Sequence, residues 1–182
     1  MSFAETIRQL WIEFQEPGPR GRRAATRWDR VNAASRRSLA VLESRLSTPA
    51  LRFFISSSFH DGSVVSISVS GTQIRGARAV AATPPTRVEI VVLHPKRLTP
   101  FTLVYKGVSR VVLDMPGDDT LFANSNDSQF EWGYDRLSAD GPDAMRHEIL
   151  FSSGAALDLS FRQLILRRDR GLKGRGGRRT RR

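Results

Sequence analysis

The 182-residue chain contains no cysteine, and it has only three histidines and two tyrosines. Without cysteine there can be no disulfide, no thiolate metal ligand and no thiol nucleophile. No apolar run approaches the roughly 18 residues of a membrane helix, and residues 1–15 lack the apolar core of a secretion signal. These absences predict a cytoplasmic protein that does not span a membrane.

Positive charge is concentrated in two stretches. The formal net charge is +11, and apolar residues make up 40% of the chain. Pro17–Arg37 holds seven arginines against Asp29, and Arg167–Arg182 holds eight arginines and Lys173 against Asp169. The remainder of the chain therefore carries a net charge of −3. This distribution has two explanations: arginine-rich codon usage in a GC-rich genome, or surfaces that bind phosphate or carboxylate groups.

The first 48 residues have helical periodicity. Apolar residues from Phe3 to Phe14 recur on one helix face, Ser2 and Glu5 have the spacing of a capping box, and Pro17–Gly18–Pro19 ends the pattern. A second helix is predicted from Ala24 to Leu46, with Pro49 closing it.

After Pro49 the apolar period changes to two, which is typical of half-buried strands. Short turns rich in glycine and proline separate the strands, so an antiparallel meander is predicted instead of parallel βαβ units. The predicted strands are Leu51–Ser58, Ser63–Ser70, Arg87–Leu93, Phe101–Tyr105, Ser109–Leu113, Phe130–Leu137, Arg146–Phe151 and Ala156–Leu166.

The predicted fold class is α+β, with N-terminal helices packed on an antiparallel β-meander that forms a sandwich or a partly open barrel. We divide the chain into a helical segment (1–48), a β domain (49–166) and an Arg/Gly-rich tail (167–182), which we expect to be disordered.

Catalytic motifs are absent from the sequence. It has no phosphate-binding glycine loop, no nucleophile elbow and no paired-histidine metal motif. A zinc site would have to be assembled in space from His60, His147 and a carboxylate. The carboxylates Glu131, Asp135 and Glu148 lie on predicted strands, where they either face solvent or perform acid–base chemistry. We therefore expect no metal, no cofactor and no catalytic residue.

Two short segments stand out as structural or contact elements. In the step Phe59–Gly62, His60 and Asp61 are expected to tie two strands together by a hydrogen bond across the sheet. In the strand Phe130–Asp135, strict alternation puts Phe130, Trp132 and Tyr134 on one face and the acidic residues on the other. The aromatic face is either core or an exposed contact surface.

From about Leu51 to Leu166 the chain resembles small uncharacterised bacterial β-rich domains, some of which are immunity proteins of polymorphic toxin systems. The matching segments are SSSFHDGSVVSISVSG, FTLVYKGVSRVVLDMP and RHEILFSSGAALDLSFRQLIL, and they cover about two-thirds of the chain. The resemblance implies a β-rich fold and a protein partner, and it supplies no catalytic residues.

Together these observations predict a non-enzymatic domain that binds and masks a partner protein. The candidate contact residues are Phe130, Trp132, Tyr134, Arg22 and Arg23. One alternative is nucleic-acid binding through the tail, by Arg175, Arg178, Arg179, Arg181 and Arg182. Another is a hydrolase that uses His60 or His147 with a carboxylate.

Overall fold

The computed structural model describes residues 2–71, 86–96, 99–115 and 131–169. Three helices come first and strands follow, which confirms the α+β class. The helices are α1 (Phe3–Gln15), α2 (Pro19–Val41) and α3 (Thr48–Ser56). The strands are β1 (Gly62–Ser70), β2 (Arg87–Leu93), β3 (Pro100–Lys106), β4 (Arg110–Asp114), β5 (Glu131–Ala139), β6 (Met145–Phe151), β7 (Ala156–Phe161) and β8 (Gln163–Arg168).

Helix α1 begins where the sequence predicts. The Ser2 hydroxyl accepts a hydrogen bond from the Glu5 N–H at 3.2 Å, and the Glu5 carboxylate accepts one from the Ser2 N–H at 2.6 Å. Gly18 takes a positive φ of 87° between α1 and α2, a conformation that glycine adopts without steric cost. The two helices thus form a hairpin, which packs on the outside of β5 and β6.

The prediction of a strand at Leu51–Ser58 is wrong, because helix α3 occupies most of that range. Pro49 lies in the first turn of α3, where its missing N–H leaves no hydrogen bond unmade, so it begins a helix instead of ending one. The buried residues Ala50 and Phe53 are three apart, which is helical spacing. All but the first residue of helix α3 therefore lies inside the range 49–166 that the sequence assigned to the β domain.

The strands form one antiparallel sheet in the order β4-β7-β6-β5-β1-β2-β3-β8. Only Arg162 separates β7 from β8, and β3 and β4 are also consecutive in the chain. Residues 100–114 therefore pair with residues 156–168 at both ends of the strand order. At one end β3 pairs with β8, and at the other end β4 pairs with β7. It follows that the sheet curves round into a barrel.

The barrel is partly open between β1 and β5. Only two residue pairs join these strands, Gly62 with Trp132 and Ser63 with Glu131. Beyond that point α2 packs against β5. Because few pairs join β1 and β5, solvent can reach inward-pointing side chains at this gap from the surface.

One apolar core spans the barrel and the helices. Leu42, Leu46 and Phe53 belong to the same buried cluster as the inward-facing strand residues. A smaller cluster under α1 contains Phe3, Ile7 and Leu150. Strand β8 extends to Arg168, two residues into the predicted tail, and residues 170–182 lie outside the described residues.

Candidate functional site

A β-bulge in β5 decides which side chains can form a site. Trp132 pairs with Phe151 and Tyr134 pairs with Leu150, so the register shifts by one residue at Gly133. A Cβ on Gly133 would lie 2.7 Å from the Leu150 carbonyl oxygen, which explains the glycine. Because the bulge adds one residue, Trp132 and Tyr134 lie on opposite faces of the strand. The prediction that they share a face is wrong.

The predicted aromatic contact residues therefore have different environments. Trp132 is fully buried inside the barrel against Phe59, and so it is not a surface contact residue. Tyr134 is half-buried on the outer face, where its ring contacts Trp28 at a centroid distance of 4.8 Å. Phe130 lies outside the described residues.

The bulge also turns Asp135 toward the barrel interior, beside Trp132. The indole Nε1–H of Trp132 donates a hydrogen bond to Asp135 Oδ1 at 3.0 Å. Asp135 Oδ2 lies 3.0 Å from Nε2 of His147, and His147 Nδ1 lies 2.8 Å from the Tyr105 hydroxyl. His147 and Tyr105 are both 0% exposed.

These four side chains form a hydrogen-bond chain with one direction. A carboxylate only accepts, so Asp135 requires a proton on His147 Nε2. In the neutral imidazole, Nδ1 is then the acceptor for the Tyr105 hydroxyl. Burial raises the pKa of Tyr105 well above its ordinary value, and the charge of Asp135 adds to this effect, so the hydroxyl remains a neutral donor. This series of hydrogen bonds therefore ends on the Asp135 carboxylate, which accepts one hydrogen bond from Trp132 and one from His147.

Asp135 is the member of this chain that reaches a groove at the surface. Its side chain is 15% exposed, and it lines a cavity of about 690 Å³ between α2 and the end of α3. Leu39, Phe54 and Ile55 are the large apolar side chains of this cavity. The remaining lining residues are small or polar: Asn32, Ser35, Arg36, Ala40, Ser57 and Ser58. We call this cavity the Asp135 groove.

His147 does not itself reach the Asp135 groove. Both ring nitrogens of His147 are engaged, and the Phe54 ring stands edge-on to the imidazole at a centroid distance of 5.7 Å. His147 is also closed from solvent, so it cannot transfer a proton to a molecule in the groove. What the groove offers is a carboxylate between three large apolar side chains and several polar ones.

The other two candidate carboxylates lie elsewhere. Glu148 is buried on the outer face of β6, where Arg136 donates to it from Nε at 3.0 Å and from Nη2 at 2.5 Å. Arg146 lies 3.5 Å from Glu148 and binds Asp158 with two hydrogen bonds of 2.8 Å. Glu131 is half-buried, and its carboxylate accepts a hydrogen bond from the Ser152 hydroxyl at 3.5 Å. None of these groups meets Asp135.

The prediction that the side chains of His60 and Asp61 tie two strands together is wrong for the residues that the structure describes. His60 Nδ1 lies 2.7 Å from the carboxylate of its own neighbour, and both side chains are exposed. The link to β5 is the backbone N–H of Asp61, which donates to the Trp132 carbonyl at 2.8 Å. The His60 ring packs on Tyr134. Within the described residues, no three His, Asp or Glu side chains are grouped as metal ligands.

The outer face of α2 carries arginines with free guanidinium groups. Arg20 and Arg27 are paired with Glu16 and Glu13 of α1, at 3.1 and 2.6 Å. The other five arginines of α2 make no ion pair with any residue that the structure describes; they are Arg22, Arg23, Arg30, Arg36 and Arg37. Three of them, Arg23, Arg30 and Arg37, recur every seven residues and so lie along one side of the helix, about 10 Å apart. We call these three residues the arginine stripe.

Tyr105 was not singled out in the sequence. The alternation of the strands could have identified it. Tyr105 and His147 occupy inward positions in strands whose other inward side chains are apolar. A polar side chain at such a position needs a partner inside the barrel.

Comparison with known proteins gives no relative: no family model, no curated protein and no solved structure matches the chain. In the part of the chain that the structure describes, no helix is long and apolar enough to cross a membrane.

Proposed function

We propose that this protein is a non-enzymatic, immunity- or accessory-type domain of the cytoplasm that binds and masks a partner protein. The observation that carries the proposal is the arginine stripe. Three guanidinium groups spaced along a helix without carboxylate partners form a positive surface, to which an acidic protein surface is complementary. Arg22, the other arginine predicted as a contact, is also exposed on α2, about 100° round the helix from Arg23.

The geometry of the ionisable groups supports a binding role. The histidine–aspartate pair of the barrel is closed off at the histidine, and His60 is an exposed residue that interacts with its neighbour. No described serine hydroxyl is hydrogen-bonded to the imidazole of His60 or His147, whereas Ser57 Oγ lies 3.3 Å from Nε2 of His94.

The proposal is tested by affinity capture from the lysate of the protein's own host, after nuclease treatment and at moderate salt. Three forms of the full chain are compared: the wild type, the stripe variant Arg23→Gln/Arg30→Gln/Arg37→Gln, and a control with the same charge change, Arg52→Gln/Arg162→Gln/Arg167→Gln. The control arginines are exposed and belong to other elements: Arg52 to α3, Arg162 to the junction of β7 and β8, and Arg167 to β8.

We expect the wild type and the control to retain one stoichiometric protein, and the stripe variant to retain at least tenfold less of it. The loss should be mainly in the association rate, and it should shrink as salt is raised. Equal retention by the stripe variant, or no retained protein with the wild type, would refute the proposal.

Nucleic-acid binding by the tail is the second candidate function. The five tail arginines on which it depends lie outside the described residues, so its support is the composition of residues 167–182 alone. A chain ending at Asp169 keeps β8 and the hydrogen bond from Thr102 to Asp169. If this chain loses a nuclease-sensitive, salt-sensitive ligand that the full chain retains, the tail carries that activity.

A further inference from the structure

The Asp135 carboxylate is mostly buried and has no permanently charged partner among the described residues. Its two protein donors are the Trp132 Nε1–H and the His147 Nε2–H. The Arg36 side chain lines the same groove without bonding to Asp135, and Arg136 is engaged by Glu148. A carboxylate removed from water is stabilised by a cation. No described arginine or lysine forms an ion pair with Asp135, so a cation from another molecule can take that position.

We propose that the Asp135 groove receives an arginine side chain of the partner protein; this inference rests on the proposed function. Each Asp135 oxygen already accepts one hydrogen bond, so one acceptor position remains on each. One free acceptor position on each of two carboxylate oxygens suits the two-pronged guanidinium better than the point charge of an ammonium.

The shape and lining of the groove fit the rest of that side chain. An arginine has an apolar stem of three methylenes, and Leu39, Phe54 and Ile55 supply apolar contacts for it. The Ile55 side chain is 68% exposed, so it can cover the stem at the mouth of the groove.

The surroundings of the groove define the partner more closely. Arg36 stands at the lining of the groove, and the arginine stripe continues along the outer face of the same helix. The partner surface that fits both features is acidic with one arginine projecting from it: the acidic groups face α2, and the arginine enters toward Asp135.

The test uses the full chain and a small probe, N-acetyl-L-arginine N-methylamide. Its control is the citrulline analogue, which has the same shape and replaces the guanidinium by an uncharged urea. The indole N–H of Trp132 is a direct reporter because it donates to Asp135. The chain has three tryptophans, so three indole signals are expected in a ¹H–¹⁵N correlation spectrum, and Trp132→Phe assigns the one required.

We expect saturable shifts of the Trp132 signal with the arginine probe, and at least tenfold weaker binding of the citrulline probe. Asp135→Asn should weaken binding at least tenfold, while Asp140→Asn, the same change on an exposed turn, should leave it unchanged. Arg36→Gln should strengthen binding severalfold, because it removes a like charge from the groove. Since Arg36 is exposed, this variant keeps the test decisive even if Asp135→Asn does not fold.

Equal binding of both probes, no effect of Arg36→Gln, or unchanged binding by a folded Asp135→Asn would overturn the proposal. Binding that appears only after the chain is cut at Asp169 would also overturn it, by assigning the groove to the chain's own basic segment. These readouts do not require a partner, so they stand or fall separately from the capture experiment.

Discussion

The hydroxyl of Tyr105 provides the sharpest test of the buried hydrogen-bond chain. In Tyr105→Phe the ring remains, and so does its edge-to-face contact with Phe161 at a centroid distance of 4.9 Å. What disappears is the donor to His147 Nδ1, 2.8 Å away in a fully buried position. A buried acceptor left without a partner destabilises a protein by about 1–3 kcal/mol.

That loss can be measured by urea denaturation followed by circular dichroism. We expect the midpoint to fall with the slope unchanged, since the surface exposed on unfolding is nearly the same. In a chain of this size each kcal/mol lowers the melting temperature by about 2–4 °C. Tyr134→Phe is the matched control: it is the only other tyrosine, it is half-buried, and no described residue bonds its hydroxyl, so its effect should stay within about 0.5 kcal/mol.

Measuring the effect of Tyr105→Phe on stability in a His147→Leu variant separates the contribution of the hydrogen bond from that of the ring. In a His147→Leu chain the Tyr105 hydroxyl has lost its acceptor, so removing that hydroxyl should be neutral or stabilising. The reasoning is refuted if Tyr105→Phe is no more destabilising than Tyr134→Phe, or if its cost is the same with and without His147.

Two further predictions concern the bulge and the tyrosines. Gly133→Ala should destabilise the fold by about 1–3 kcal/mol, because its Cβ would meet the Leu150 carbonyl at 2.7 Å; thermal unfolding against the wild type checks this, and an unchanged melting temperature would contradict the bulge geometry. Burial raises the pKa of Tyr105 and of Tyr134 in the folded chain, so their contribution to stability is present below pH 10 and is lost as the pH rises through the folded pKa. Urea midpoints between pH 8 and pH 11 should therefore decline, less steeply in Tyr105→Phe, and absorbance at 295 nm should show tyrosinate only well above pH 10.

Local signals in the sequence predicted most of the secondary structure. The capping box at Ser2 placed the start of α1, and the alternation of apolar residues placed β2 at the same bounds that the structure has, Arg87–Leu93. These elements were predictable because the interactions that define them lie within a few residues of each other.

Helix α3 was missed because nine residues are too few to separate the two periods. A short apolar run such as Leu51–Ile55 fits a buried strand as well as a buried helix. Pro49 is compatible with both the end of one helix and the first turn of the next. Only the tertiary contacts of Phe53 with the barrel core distinguish them.

The closure of the barrel depends on pairing between distant segments. Residues 100–114 pair with residues 156–168, and no short-range pattern encodes which strand meets which. The sequence therefore predicted a meander and left open whether it forms a sandwich or a barrel.

The candidate site was predicted in parts and not as a unit. Asp135 and His147 were each singled out, but strict alternation puts Asp135 on the face opposite Trp132. The single extra residue at Gly133 reverses that assignment for every residue after it in the strand. A glycine between two aromatic residues was the available hint of a bulge.

The two walls of the Asp135 groove differ in how freely they can change. The position of Asp135 is set from inside the barrel, and replacing it with an apolar residue would leave the buried donors of Trp132 and His147 without an acceptor. On the facing wall, Asn32, Arg36 and Ala40 are exposed helix residues, whose substitution should alter stability by no more than about 0.5 kcal/mol. The Asp135 carboxylate is thus a fixed feature of the fold. The charge and size of the ligands that the groove admits can be changed by substitutions on α2 alone. If the protein masks a partner, as we propose, its selectivity can be changed along α2 while the hydrogen bonds inside the barrel stay the same.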